Sequence, residues 1–215
     1  MDLLELVIFD MDGLMFDTEK ILLEAWVKTG EDSGYPITKE IILETIGRNV
    51  VDTELIYKRH FGNNFPYKEL YEKTHICVDN IIEKKGVPIK EGLLELLKHL
   101  DKKGFKKAVA TSNSRDKVKK LLSNTNIIDR FDYVLCGDEI SRGKPEPEIF
   151  LTVCEKLGVH PNNALVIEDS EMGLLAAYKA GIQCILVPDV KLPSKENESL
   201  AYAKLKSLIE VMEII

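Results

Sequence analysis

The stretch Leu6-Val7-Ile8-Phe9-Asp10-Met11-Asp12-Gly13-Leu14 constrains this chain more than any other. It begins as an apolar run and ends in two acids and a glycine. A short apolar run bounded by a turn signal predicts a strand buried on both faces. Asp10 closes that strand. Asp12 lies two residues on, so in an extended backbone both carboxylates point the same way. Gly13 then permits a sharp turn. One reading is an acidic turn after a strand, where Asp and Gly are common. The other is a working site, because two acids fixed at the end of a buried strand are costly unless a cation or a reaction uses them.

The remaining pattern predicts the architecture around that strand. Helical periodicity follows at once, through Ile21, Leu22, Leu23, Ala25, Trp26 and Val27, with Gly30 and Gly34-Tyr35-Pro36 as its end. A second short helix is expected after Thr38, stopped by Gly47, and a third over Val50 to His60. Pro66 fits a first helical position, and Tyr67, Leu70, Tyr71, Thr74, Val78, Ile81 and Ile82 make one helical stripe that Gly86 and Pro88 end. From Glu91 onward, strands alternate with helices. The strands are Phe105 to Ala110, Tyr133 to Cys136, Ala164 to Ile167 and Ile182 to Val187, and Leu200 to Ile215 is a predicted closing helix. Such alternation implies right-handed crossovers and a parallel sheet covered by helices. The expected fold class is therefore α/β, a Rossmann-like parallel sheet core with an inserted all-helical cap. Residues 1–16 and 86–215 are assigned to the core and 17–85 to the cap, with hinges near 14–18 and 84–91.

Composition excludes several classes. A net charge of -7 argues against non-specific nucleic-acid binding. No apolar run approaches the roughly 20 residues of a membrane span. Met1-Asp2-Leu3-Leu4-Glu5 lacks the basic start of a secretory signal. Cys77, Cys136, Cys154 and Cys184 form no CxxC pair and sit among apolar neighbours, so buried reduced thiols are expected. A cytoplasmic monomer acting on a small molecule is the resulting expectation.

In open parallel sheets, ligands bind beyond the carboxyl ends of the strands. Polar groups fall at several such ends here: Asp10 and Asp12, Thr111, Lys144, and Glu168 with Asp169. The acids suit a hard divalent cation such as Mg²⁺, which takes oxygen ligands and keeps waters and substrate phosphate. Thr111 offers a hydroxyl followed by backbone N–H groups. Lys144 precedes Pro145, which restricts its backbone to extended conformations and aims one positive charge at an anion.

With these positions in hand, the sequence resembles the haloacid dehalogenase superfamily, in its helical-capped phosphatase and β-phosphoglucomutase-like branch. The resemblance spans nearly the whole chain. The first motif stands as Asp10-Met11-Asp12-Gly13-Leu14-Met15-Phe16-Asp17-Thr18 and the second as Ala108-Val109-Ala110-Thr111-Ser112-Asn113. The third is Gly143-Lys144-Pro145-Glu146-Pro147-Glu148-Ile149-Phe150, the fourth Val166-Ile167-Glu168-Asp169-Ser170-Glu171-Met172-Gly173, and Val187-Pro188-Asp189 is also typical. The resemblance implies that Asp10 attacks phosphorus and that Asp12 serves as general acid and base. It implies Mg²⁺ held by Asp10, Asp12 through its backbone carbonyl, and Asp169, with Glu168 a direct or water-mediated ligand. Thr111, Ser112, Asn113 and Lys144 would bind the phosphate, and Arg115 a second anionic group.

Asp12 discriminates within the superfamily. The dehalogenase and phosphonatase branches lack an acid there, because a leaving halide needs no proton and a leaving alkoxide does. The implied activity is thus phosphatase, on a sugar phosphate or nucleotide-like metabolite, with a phosphosugar mutase as the alternative. The mutase pattern has a histidine where this chain has Leu22, an arginine where it has Val50, and a cap lysine unmatched near Asn80; Arg48 is the one nearby substitute. A non-catalytic binding protein on the same scaffold is the third reading.

Weaker candidates have simpler explanations. Arg115 also reads as a helix-start arginine. His60, His75, His99 and His160 show no ligand spacing. Trp26 reads as core of the helical segment rather than as a substrate-facing ring.

Overall fold

The computed structural model describes residues 3–46, 50–123, 125, 127–190 and 192–215. Gly47, the expected stop of the second helix, Arg48 and the opening Met1-Asp2 lie outside the described residues. The chain divides into two compact units, Met1–Asp17 with Val87–Ile215, and Thr18–Gly86.

The larger unit is built on a six-stranded, wholly parallel sheet: β1 (Leu6–Phe9), β2 (Lys106–Ala110), β3 (Tyr133–Leu135), β4 (Ala164–Glu168), β5 (Gln183–Leu186) and β6 (Ala203–Lys204). The order is β3-β2-β1-β4-β5-β6, so the chain runs outward on one side of β1, crosses back, and runs outward again on the other. The strand-order reversal next to β1 is the switch point at which such sheets form their ligand crevice. All residues of β1 and β4 are buried, which explains their unbroken apolar runs. Register aligns their ends. Phe9 pairs with Val109 on one side and Ile167 on the other, which brings the carboxyl ends of β2, β1 and β4 level. The sheet core continues into buried Ile149, Phe150, Val153 and Leu174.

The smaller unit contains α1 (Thr18–Asp32), α2 (Lys39–Thr45), α3 (Val50–Phe61) and α4 (Tyr67–Lys85). It has its own core of Trp26, Ile37, Ile42, Tyr57, Phe65, Tyr67 and Leu70. Trp26 stacks on Tyr57 at 4.8 Å between ring centroids, so it serves as core. The first helix ends at Asp32, just before Gly34-Tyr35-Pro36, having run through Gly30. The missing side chain lets the returning chain come close: a Cβ there would lie 2.7 Å from the Tyr35 carbonyl oxygen.

The larger unit adds α5 (Leu93–Lys103), α6 (Arg115–Ser123), α7 (Glu148–Leu157), α8 (Glu171–Lys179), α9 (Lys195–Glu198) and α10 (Leu208–Val211). The expected closing helix over 200–215 is replaced by β6 and the short α10. Tyr202 donates its N–H to Cys184 O at 2.8 Å and Leu205 to Leu186 O at 2.9 Å. Hydrogen bonding to the open edge of β5 decides this segment over its helical periodicity. The four cysteines are free; Cys136, Cys154 and Cys184 are buried, whereas Cys77 is half-buried rather than fully enclosed. Among the described residues, no helix is long and apolar enough to cross a membrane.

Candidate active site

Each strand end delivers one part of the site. Asp10 follows β1 directly, and its N–H donates to Ile167 O at 3.0 Å, which locks it beside β4. Thr111 follows β2, with its N–H on Leu135 O at 3.1 Å. Glu168 is the last residue of β4, and Asp169 comes next. Lys144 comes from the loop before α7, through a cis peptide to Pro145.

Lys144 gathers these groups. An ammonium has three protons, and here it meets three acceptors: the Asp10 carboxylate, Glu168 Oε1 at 2.6 Å and the Ala110 carbonyl at 3.2 Å. The Phe150 ring lies beneath it, 5.2 Å from nitrogen to centroid. The Lys144 side chain is only 6% exposed and that of Glu168 0%. Burial works against the ammonium, but the charges of Asp10 and Glu168 outweigh it and raise its pKa.

Glu168 is fully engaged. Its Oε2 accepts the Asp169 N–H at 3.1 Å, the Ser170 N–H at 3.0 Å and the Ser170 hydroxyl at 2.9 Å. Ser170 also caps α8 by accepting from the Gly173 N–H at 3.1 Å. Glu168 is thus a tied-down anion that orients Lys144 and the turn bearing Asp169.

Asp10, Glu168 and Asp169 each offer a carboxylate oxygen, and these oxygens all lie within 4.8 Å of one another. Burial pushes Asp10 up to about 7; Lys144 opposes this, and Glu168 and Asp12 add to it. Burial pushes Asp169 up to about 9, reinforced by the charges of Asp10 and Glu168. Crowded, desolvated carboxylates with a single cation among them fit a divalent cation, and an all-oxygen donor set fits a hard one. Gly13 makes room for this turn. It has φ +75°, and a Cβ there would lie 2.2 Å from Asp169 Oδ2.

Asp12 is held separately. The Asn113 side-chain amide donates to its Oδ2, and the Lys117 ammonium lies 3.8 Å from its Oδ1. Lys117 also donates to Asn113 Oδ1 at 2.9 Å. The Thr111 hydroxyl oxygen accepts the Asn113 N–H at 3.2 Å, so its own proton is left to donate. Ser112 is exposed, and its carbonyl packs so closely on Gly137 that a Cβ there would lie 2.3 Å away.

Arg115 is committed to its own surroundings. Its guanidinium donates to Val134 O at 3.0 Å and pairs with Glu139. Its backbone N–H lies 3.1 Å from both Asp138 oxygens. These contacts are those of a helix-start arginine, and binding a substrate anion would require giving them up. They also account for a second acidic cluster, Cys136 with Asp138 and Glu139. His60 pairs with Glu44 at 3.0 Å, and His99 meets Ile215 O at 3.0 Å.

Three residues near the site carried no role in the sequence: Lys117, Lys90 and Asp189. Lys90 donates to Asp189 Oδ1 at 2.5 Å and lies 3.7 Å from Asp17 Oδ1. Asp189 stood in a family-typical tripeptide, but nothing in its spacing tied it to Lys90, 99 residues away.

The chain is similar to known proteins along nearly its whole length. A "phosphorylated carbohydrates phosphatase" of Thermotoga maritima is 32% identical over 218 residues, covering 99% of this chain and 97% of that protein. A "validoxylamine A 7'-phosphate phosphatase" of Streptomyces hygroscopicus subsp. limoneus is 29% identical over 209 residues, covering 96% of this chain and 95% of that one. The crystal structure of a candidate β-phosphoglucomutase from Thermotoga maritima is 29% identical, superposes with a TM-score of 0.83, and covers 98% of each chain. The family model for haloacid dehalogenase-like hydrolases matches residues 7–187. The chain belongs to the haloacid dehalogenase-like hydrolases, and it is an enzyme of that family, several of whose curated relatives are named as phosphatases.

Proposed function

We propose that this protein is a Mg²⁺-dependent phosphatase that hydrolyses a small phosphorylated carbohydrate or related metabolite through an aspartyl-phosphate on Asp10. The observation that carries the reading is the Lys144 ammonium set between Asp10 and Glu168, with Asp169 beside them. The names of the two phosphatase relatives support the substrate class. Residues 1–16 and 86–215 are assigned to the phosphoryl-transfer core and 17–85 to an inserted helical cap. The free cysteines support a reducing, cytoplasmic setting, and a monomer is the simplest state.

Asp10, the Asp12 backbone carbonyl and Asp169 would hold the metal, with Glu168 acting through its hydrogen bonds to Lys144 and the Asp169 turn. Bound there, Mg²⁺ would screen the repulsion between an anionic nucleophile and an anionic phosphate. Lys144 fixes one oxygen of Asp10 and places positive charge where the phosphoryl group arrives. The Asp10 carboxylate forms the bond to phosphorus as the leaving alkoxide departs. Asp12, steadied by Asn113, gives that alkoxide its proton and then takes one from the water that hydrolyses the acyl phosphate. The Thr111 hydroxyl, the backbone N–H groups that follow it and Lys144 stabilise charge on the equatorial oxygens, which is most of the catalytic task in phosphoryl transfer.

The test is phosphate release from p-nitrophenyl phosphate and a panel of sugar phosphates, with Mg²⁺ and with EDTA. Activity that needs Mg²⁺ and disappears in Asp10→Asn supports the reading; an equally active variant, or no release across the panel, overturns it. The β-phosphoglucomutase name carried by one structural relative favours a second reading, a phosphosugar mutase. That reading predicts transfer between two positions of one sugar with little free phosphate.

A further inference from the structure

Asp189 has a divided carboxylate. It lies just past β5, at the same edge of the sheet as Asp10 and Asp169. Its Oδ1 takes the Lys90 ammonium at 2.5 Å, and its side chain is 15% exposed. Its Oδ2 is buried and meets no hydrogen-bond donor among the described residues. An ionised carboxylate oxygen without a donor is unfavourable in a buried position, and native structures supply a partner from protein or water. The direction of Oδ2 is given by Gly13. The point where a Gly13 Cβ would stand lies 2.2 Å from Asp169 Oδ2 and 3.4 Å from Asp189 Oδ2. The free oxygen of Asp189 and the oxygen of Asp169 thus face the same glycine.

We propose that Asp189 is a positioning residue for the metal site, its Oδ2 accepting a hydrogen bond from a water in the hydration shell of the cation held by Asp169. The proposal rests on the metal-dependent reading above. Mg²⁺ dehydrates reluctantly and keeps several waters, and each is a strong donor that needs an acceptor. Asp10 and Glu168 are already tied to Lys144, whereas Asp189 keeps an unused acceptor beside the same turn. Lys90 sets the rotation of the Asp189 carboxylate and balances its charge, so a further acid next to the metal acids does not stand as an uncompensated anion. Asp17, with Oδ1 3.7 Å from the Lys90 ammonium, adds a second anion beside it.

The arrangement makes a test that distinguishes positioning from simple packing. Lysine only donates. In Asp189→Asn the amide oxygen must therefore face Lys90, which leaves an NH₂ donor where an acceptor is needed. Removing the lysine releases that constraint and lets the amide turn its oxygen toward the water.

The experiment is calorimetric titration of the full chain with MgCl₂, without substrate. The unsubstituted protein binds, Asp169→Asn does not, and Asp189→Asn binds about 10- to 100-fold more weakly, the usual effect of losing an outer partner of a metal site. Lys90→Met combined with Asp189→Asn regains part of that loss, beyond any change Lys90→Met makes alone. Melting in EDTA checks that each variant is folded, and Asp189→Ala carries the same expected weakening should Asn disturb the chain. Wild-type affinity in both Asp189 variants overturns the proposal, as does a double variant with no recovery. If the unsubstituted protein does not bind Mg²⁺, the metal-dependent reading fails and this proposal with it. If it binds, Asp169→Asn abolishes binding and both Asp189 variants keep the unsubstituted affinity, this proposal alone fails.

Discussion

Gly173 and Glu168 approach so closely that no methyl group fits between them: a Cβ on Gly173 would lie 1.8 Å from Glu168 Oε1. That oxygen is the one that receives Lys144. The first turn of α8 is therefore packed against the anion that orients the lysine.

Gly173→Ala is expected to displace Glu168 and loosen Lys144. An overpacked core site costs about 1–3 kcal/mol, so melting temperature and kcat should both fall. Activity should fall further than stability explains, because the lysine is misplaced even in folded molecules. A variant with unchanged melting and unchanged kcat would show that Glu168 has room to move.

Lys144→Met leaves Asp10 and Glu168 buried without their cation. Breaking a buried ion pair from one side costs about 3–5 kcal/mol, to be read from urea unfolding. The bared Asp10 carboxylate, which Lys144 otherwise holds down, responds by taking up a proton, so the loss should be larger at alkaline than at acidic pH. Phosphate release should drop on the order of 10²- to 10³-fold or more, the effect of losing one preorganised charge-stabilising donor.

Stability in EDTA should fall as pH rises. Asp10 and Asp169 have ordinary values of 3.8 but are pushed up to about 7 and about 9, by burial first and by neighbouring charges second. Between the unfolded and folded values, the folded protein keeps protons that the unfolded chain has released. The unfolded state then binds fewer protons, and stability declines with increasing pH. Thermal melting should show the decline from weakly acidic to weakly alkaline pH. Mg²⁺ should flatten it, and its stabilising effect should grow with pH, because a bound cation competes with those protons. A melting temperature in EDTA that rises through this window contradicts the assignment of buried, proton-retaining acids.

Trp26→Ala should damage the helical unit locally. Trp26 stacks on Tyr57 and on Tyr67, at 4.8 and 6.2 Å between centroids. Truncating a buried aromatic costs about 3–5 kcal/mol. Hydrogen exchange should accelerate across Thr18–Gly86 while the β1 and β4 amides stay protected, because each unit has its own core. Trp26→Phe should lose much less. Equal acceleration in the sheet would show that the two units unfold together.

The stretch from Leu6 to Leu14 determined a great deal by itself. A buried apolar strand closed by acids and a glycine, repeated in outline at Thr111 and at Glu168-Asp169, was enough for the α/β class, the parallel sheet and the gathering of polar groups at its strand ends. Those features depend on local residue order, which periodicity and turn chemistry report directly. The segment after Leu200 was misread for the complementary reason: its helical spacing is local, but its conformation is decided by backbone hydrogen bonds to the edge of β5. The same limit applies within the site. The sequence placed Lys144 near a phosphate, but only the fold shows it bound three ways. Arg115 read either as an anion binder or as a helix-start arginine, and the fold commits it to Val134 and Glu139. Asp12 and Asn113, and Lys90 and Asp189, meet only in the folded chain. Which polar atoms are paired, and which buried oxygens, Asp189 Oδ2 among them, are left with no partner among the described residues, depends on contacts between residues distant in sequence, and these are created by tertiary packing.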